Sequence, residues 1–128
     1  ISIYRFFEEK GENEFRKLET QILRETSIKN NTVISCGGGT ATHSNNMEWM
    51  LNQGLTVYLN PEISEISLRI EENLALRPMF KGLKGAGITD KLLNLFEERA
   101  NFYHQSKIIW NKSTPNEFLY KAVSQLVM

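Results

Sequence analysis

Apolar positions recur along this chain with more than one period. Ile3, Phe6 and Phe7, and then Phe15, Leu18 and Ile22, fall at three- to four-residue spacing, which marks one face of a helix. Ser2 is a suitable cap for a first helix through Glu9, Gly11 ends it, and a second helix runs from about Glu12 to Thr26. Three short apolar runs read as strands: Thr32-Val33-Ile34-Ser35, Leu55 to Leu59 and Lys107 to Trp110. Helical patterns separate them. One runs from Ser44 to Gln53 with Met47, Met50 and Leu51 inward. One opens at Asn60-Pro61, with Asn60 as cap, and carries Ile63, Ile66, Leu68 and Ile70. One is capped by Thr89, with Leu92, Leu93, Leu95 and Phe96 as core candidates. The last follows a capping box, Thr114-Pro115-Asn116-Glu117, and buries Phe118, Leu119, Val123, Leu126 and Val127.

Strands alternating with helices predict an α/β fold: a three-layer α/β/α parallel sheet with helices on both faces, in one domain spanning residues 1–128. Residues 72–87 break the pattern. They hold Arg77, Pro78, Lys81, Lys84 and three glycines, and they are the candidate for a mobile lid.

Composition narrows the function classes. Fifteen basic residues balance fifteen acidic ones, so a nucleic-acid partner, which calls for a basic excess, is disfavoured. The single cysteine, Cys36, cannot build a disulfide framework and points to a reducing, cytoplasmic compartment. His43 and His104 lack the spacing of a zinc site. No run approaches the roughly 20 apolar residues of a membrane span. The first residue is Ile1 rather than Met, which leads to the expectation of a further segment in front.

The chemistry gathers at a few positions. Gly37-Gly38-Gly39 follows the first strand, where ligands of parallel sheets bind, and its uncovered backbone N–H groups suit an anion; a plain tight turn is the competing reading. Arg16, Arg69, Arg77 and Arg99 lie outside the apolar stripes, and arginine forms paired contacts with carboxylate and phosphate. Glu19 is three residues from Arg16, close enough to fix its guanidinium. Cys36 reads as a small buried side chain rather than a nucleophile, His43 as a loop residue, and Trp49 and Trp110 as core or half-buried.

In order, Phe7, Gly11-Glu12-x-Glu14-Phe15-Arg16-x-x-Glu19, Val33-Ile34-Ser35-x-Gly37-Gly38-Gly39, Val57-Tyr58-Leu59, Arg77-Pro78 and Arg99-x-x-x-Tyr103 resemble shikimate kinase over essentially the whole chain. The resemblance implies a P-loop kinase fold of the nucleoside-monophosphate-kinase type. It implies transfer of the ATP γ-phosphate to the 3-hydroxyl of shikimate, with Mg²⁺, by a cytoplasmic monomer without nucleic-acid or membrane partners. Arg16 and Arg99 would pair with the substrate carboxylate, and Glu19 would hold Arg16. Gly38 and Gly39 would offer N–H groups, with Gly37 beside them in the substrate-binding set, and Phe7 would pack on the ring. Residues 1–31 would thus form the substrate-binding helices. Arg77 would close with the lid onto the transferring phosphate, Arg69 and Pro115 would sandwich the adenine, and Ser35 would stand near the Mg²⁺ without ligating it.

The sequence departs from the family at its front. The Walker A run Gly-x-x-x-x-Gly-Lys-Ser/Thr and the aspartate pair after it do not occur in it, so neither the N-terminal strand of the sheet nor a metal ligand is expected within the chain. Roughly 35–45 further residues are expected ahead of Ile1, the size of one βαβ unit. The alternatives are a degenerate domain that binds shikimate without turning it over, or another small-molecule kinase such as gluconate kinase, against which the Glu14-to-Glu19 run and Arg99 argue.

Overall fold

The structure, a computed structural model, describes residues 1–127. Helix α1 spans Ile3–Glu25 and contains a break: Gly11 has φ 83° and ψ 172°, a conformation open to glycine and almost nothing else. The two helices expected on either side of Gly11 are therefore joined through one bent residue. Ser2 caps the first, its Oγ accepting from Arg5 N at 3.2 Å. The anticipated stripe of α1 is not the buried one. Leu18 and Ile22 are exposed, while Arg16 and Leu23, seven residues apart on another face, are buried.

Helix α2 (Asn46–Gln53) leads to strand β1 (Val57–Leu59), then helix α3 (Ile63–Glu72), helix α4 (Ala86–Tyr103), strand β2 (Ile108–Trp110) and helix α5 (Asn116–Val127). β1 and β2 pair in parallel, Val57 with Ile108 and Leu59 with Trp110. Parallel pairing needs a crossover between the strands, and α3 and α4 supply it. The core lies between these helices. Ile70, Phe80 and Ile88 are buried together, with Ile66, Leu74, Leu83, Leu92 and Leu95 packed around them.

Several expectations are corrected. Thr32–Ser35 is not a strand. A strand exists through a hydrogen-bonded neighbour, and among the described residues none lies beside this segment. Val33 is 94% exposed. Asn60 does not cap α3, which begins three residues later; its N–H instead prolongs the strand ladder onto Trp110 O at 2.8 Å. Thr89 lies inside α4, not at its cap, which is Gly85; the Thr89 hydroxyl meets Ser67 Oγ at 3.0 Å. Thr114 turns back to Asn111, receiving its N–H at 3.1 Å, in place of the expected box onto Glu117. Phe118, Val123 and Leu126 on α5 are exposed, as is Leu93 on α4. Met128, and the side chain of Val127 expected in the core, lie outside what the structure describes.

Candidate functional site

Arg16 is the centre of the site. The α-helix places Glu12 and Glu19 on its flanks: Nη1 reaches Glu19 at 3.0 Å and Nη2 reaches Glu12 at 3.3 Å. The guanidinium also lies 5.3 Å from the Phe15 ring centre, and that ring packs on Phe7 at 4.6 Å. Phe7 thus supports the site through Phe15. Arg16 is buried, and its Nε has no protein partner. A buried guanidinium held by two carboxylates keeps its charge and its orientation together.

The glycine loop closes over this charge. Glu19 accepts from Arg16 with one oxygen and from the Thr40 hydroxyl, at 2.8 Å, with the other. A Cβ on Gly39 would stand 2.3 Å from the Arg16 guanidinium carbon, so any side chain there displaces the guanidinium. A Cβ on Gly38 would stand 3.1 Å from Arg99 Nη1, and one on Gly37 3.3 Å from Glu19. Tyr103, one helical turn beyond Arg99, donates its hydroxyl to Gly38 O. The N–H groups of Gly38 and Gly39 donate to no backbone carbonyl among the described residues, leaving them for a ligand.

Asn46 locks the loop from behind. It is fully buried, and its Nδ2 donates to Thr40 O at 2.8 Å and Thr20 Oγ1 at 3.0 Å. His43 Nδ1 lies 3.1 Å from Gly39 O, a loop anchor as expected.

Arg16 and Arg99 converge on one atom. The Nη2 of Arg16 lies 3.9 Å from Met79 Sδ, and the Nη2 of Arg99 lies 3.8 Å from the same sulfur. A thioether is a weak acceptor. Two guanidinium N–H groups aimed at one point suit a carboxylate far better.

The structure thus brings together Arg16, Glu19, Gly37, Gly38, Gly39 and Arg99, with Phe7 behind Phe15. Arg69, Arg77 and Pro115 are exposed and hydrogen-bond to none of this cluster. Arg69 pairs with Glu65 at 2.5 Å. The backbone of Arg77 joins two short turns, Leu74–Leu76 and Pro78–Phe80, and residues 72–87 are pinned at Phe80 in the core. Ser35 is exposed in the extended segment.

Cys36 is exposed rather than buried. Local covering of its thiol and the Glu19 carboxylate push its pKa up, which is unfavourable for a nucleophile. Sequence reasoning did not find Thr40, Asn46 or Met79. Asn46 follows two residues that resemble an ordinary helix cap, and Met79 had a signal only in its place beside Arg77-Pro78. Among the described residues no group of three His, Cys, Asp or Glu side chains is arranged to hold a metal, and no helix is long and apolar enough to cross a membrane.

The profile of the family described as shikimate kinase matches residues 1–127. The chain is similar to the shikimate kinase of Bacteroides thetaiotaomicron, 39% identical over 107 residues, covering 82% of this chain and 60% of that protein. It is similar to the shikimate kinase of Aquifex aeolicus, 35% identical over 123 residues, 96% of this chain and 70% of that one. A solved structure of shikimate kinase from Acinetobacter baumannii in complex with shikimate superposes with a TM-score of 0.81 at 26% identity, covering 98% of this chain and 69% of that chain.

Proposed function

The chain belongs to the shikimate kinase family, and from that premise we propose that the whole protein transfers the γ-phosphoryl group of ATP to the 3-hydroxyl of shikimate, on the route to chorismate and the aromatic amino acids. The observation that carries this reading is the pair of guanidinium Nη2 groups, from Arg16 and Arg99, meeting at one point under the glycine loop. A ring acid offers one carboxylate to both, while a neutral sugar leaves both unanswered.

In this proposal Arg16 and Arg99 hold the carboxylate, and Glu19 fixes Arg16. Gly37, Gly38 and Gly39 keep the loop close, with N–H groups turned to the substrate. Phe7 packs behind the ring. Phosphoryl transfer depends on positioning and charge neutralisation more than on covalent chemistry. Arg77, exposed on the segment 72–87, would then supply charge only when that segment closes as a lid over the helices of residues 1–31, keeping water from the phosphate until shikimate is seated. Gly82 and Gly85, at φ 78° and 46°, give that segment two turning points. Arg69 and Pro115 are assigned to the adenine.

When bound, ATP would bring the phosphoryl group and Mg²⁺ would neutralise its charge. Among the described residues no three His, Cys, Asp or Glu side chains are grouped to hold that ion. We further assign the protein to the cytosol as a monomer; its one unpaired thiol fits a reducing compartment. The test is ADP release by the whole protein with Mg-ATP, with and without shikimate. Release that depends on shikimate is expected. Shikimate binding without release would overturn the kinase reading in favour of a binding domain.

A further inference from the structure

Met79 occupies the position that the proposed substrate carboxylate needs. Its sulfur receives one N–H from Arg16 and one from Arg99, at 3.9 and 3.8 Å, and these donors come from two helices. The residue is also anchored to the mobile-lid candidate, one position from buried Phe80. Seating a carboxylate on both arginines therefore requires Met79 to leave, and anything that strengthens its grip keeps the seat closed.

Oxidation of the sulfur does this. A thioether accepts weakly, whereas a sulfoxide presents a polar oxygen. That oxygen would point from the sulfur into the gap to either Nη2, where a charge-assisted contact of about 2.7–2.9 Å can form. Met79 is half-buried and lines a cleft of about 440 Å³ with Leu83, Lys91, Leu95 and Glu98, through which peroxide can approach the side chain.

We propose that Met79 is a site of reversible oxidation by peroxide, and that its sulfoxide binds Arg16 and Arg99 in place of the substrate carboxylate. In the step, a sulfur lone pair attacks a peroxide oxygen. The S–O bond forms, the O–O bond breaks, and the proton on the attacked oxygen passes to the departing hydroxide, which leaves as water. The sulfur loses two electrons and the peroxide gains them. The effect on substrate rests on the shikimate reading; the modification and its hold on the arginines do not.

The experiment treats the whole protein with hydrogen peroxide, then with dithiothreitol to restore Cys36, and maps each methionine by peptide mass. Wild-type protein is expected to gain one oxygen at Met79 and to show a shikimate KM raised about tenfold or more, the size of one charge-assisted contact, with ATP KM little changed. Methionine sulfoxide reductase should reverse both. In Met79→Leu, compared with itself before and after peroxide, the ratio of KM values should stay near one. Independently of turnover, phenylglyoxal labelling of Arg99 should slow once Met79 is oxidised. Oxidation of Met79 with unchanged labelling overturns the proposal, as does a Met79 spared while Met50, whose sulfur lies 3.9 Å from Cys36 Sγ, is fully oxidised. Absence of shikimate-dependent turnover before any peroxide overturns the kinase reading instead, and the labelling result still decides the fate of Met79.

Discussion

Arg16 is held by Glu12 and Glu19 on its own helix, so its orientation is set before any ligand arrives. Arg16→Ala removes one of the two donors to the proposed carboxylate and strands two carboxylates beside an emptied space. Shikimate KM is expected to rise by the equivalent of about 2–4 kcal/mol, with a smaller change in ATP KM. Arg16→Lys should recover little, because an ammonium cannot meet Glu19 and the substrate along one rigid plane. Steady-state kinetics on both variants decides this, and an unchanged shikimate KM would remove Arg16 from the site. A second residue pair gives a pH signature. Lys81 donates to Glu8 at 2.8 Å, linking the turn segment to the start of α1. That bond from Lys81, with a further one from Tyr4, holds the Glu8 carboxyl below its ordinary 4.5, and the bond to Glu8 raises Lys81 above its ordinary 10.5. The contact is fully present above 4.5 on the acid side and lost as pH falls through the lowered Glu8 value. On the basic side it is fully present below 10.5 and lost as pH rises through the raised Lys81 value. Hydrogen exchange in residues 72–87 should therefore be flat across neutral pH after correction for the intrinsic rate. It should accelerate in acid, and Glu8→Gln should abolish that acid limb.

At the scale of elements, the break in α1 is the sharpest dependence on one residue. Nothing lies within 4 Å of a Cβ added at Gly11, so any cost of substitution comes from the backbone alone. Its φ and ψ fall in a region other residues avoid at a cost on the order of 1–3 kcal/mol. Gly11→Ala should lose about that much stability in urea unfolding, and Gly11→Asn should do no better, because the left-handed conformation that asparagine tolerates lies elsewhere. Recovery by asparagine would refute this account. Elements with a local cause were legible in the sequence: the Gly11 break, the Ser2 cap, the Arg16–Glu19 pair and the two short strands. Elements with a distant cause were not. Thr32–Ser35 has strand-like residues but no neighbour to bond. Asn60 and Thr89 have the composition of caps, yet tertiary partners at Trp110 and Ser67 claim their polar groups, and Thr114 is instead drawn into a local turn with Asn111. Leu18 and Ile22 follow a helical stripe, but the face that packs is chosen by the loop carrying Thr40, which faces Glu19.

Over the whole molecule, four stretches far apart in sequence meet at one point: α1 through Arg16, the loop 37–42, the turns 74–80 through Met79, and α4 through Arg99 and Tyr103. The two-stranded sheet and the core at Ile88 set the frame on which α4 stands, and buried Asn46 ties the loop to α1 through Thr20. The arginines were legible as candidates, but their convergence was not, since no local pattern records which residue will stand between them. The contact of Gly39 with Arg16 makes two positions, 23 residues apart, behave as a single heritable character. Gly39→Ala should cripple shikimate use in the wild-type background by pushing the guanidinium aside. In an Arg16→Ala background the same change should cost almost nothing, because the space is already free. A double-mutant cycle in shikimate kcat/KM measures this coupling. If it holds, Gly39 is free to change only in a lineage that has already lost Arg16.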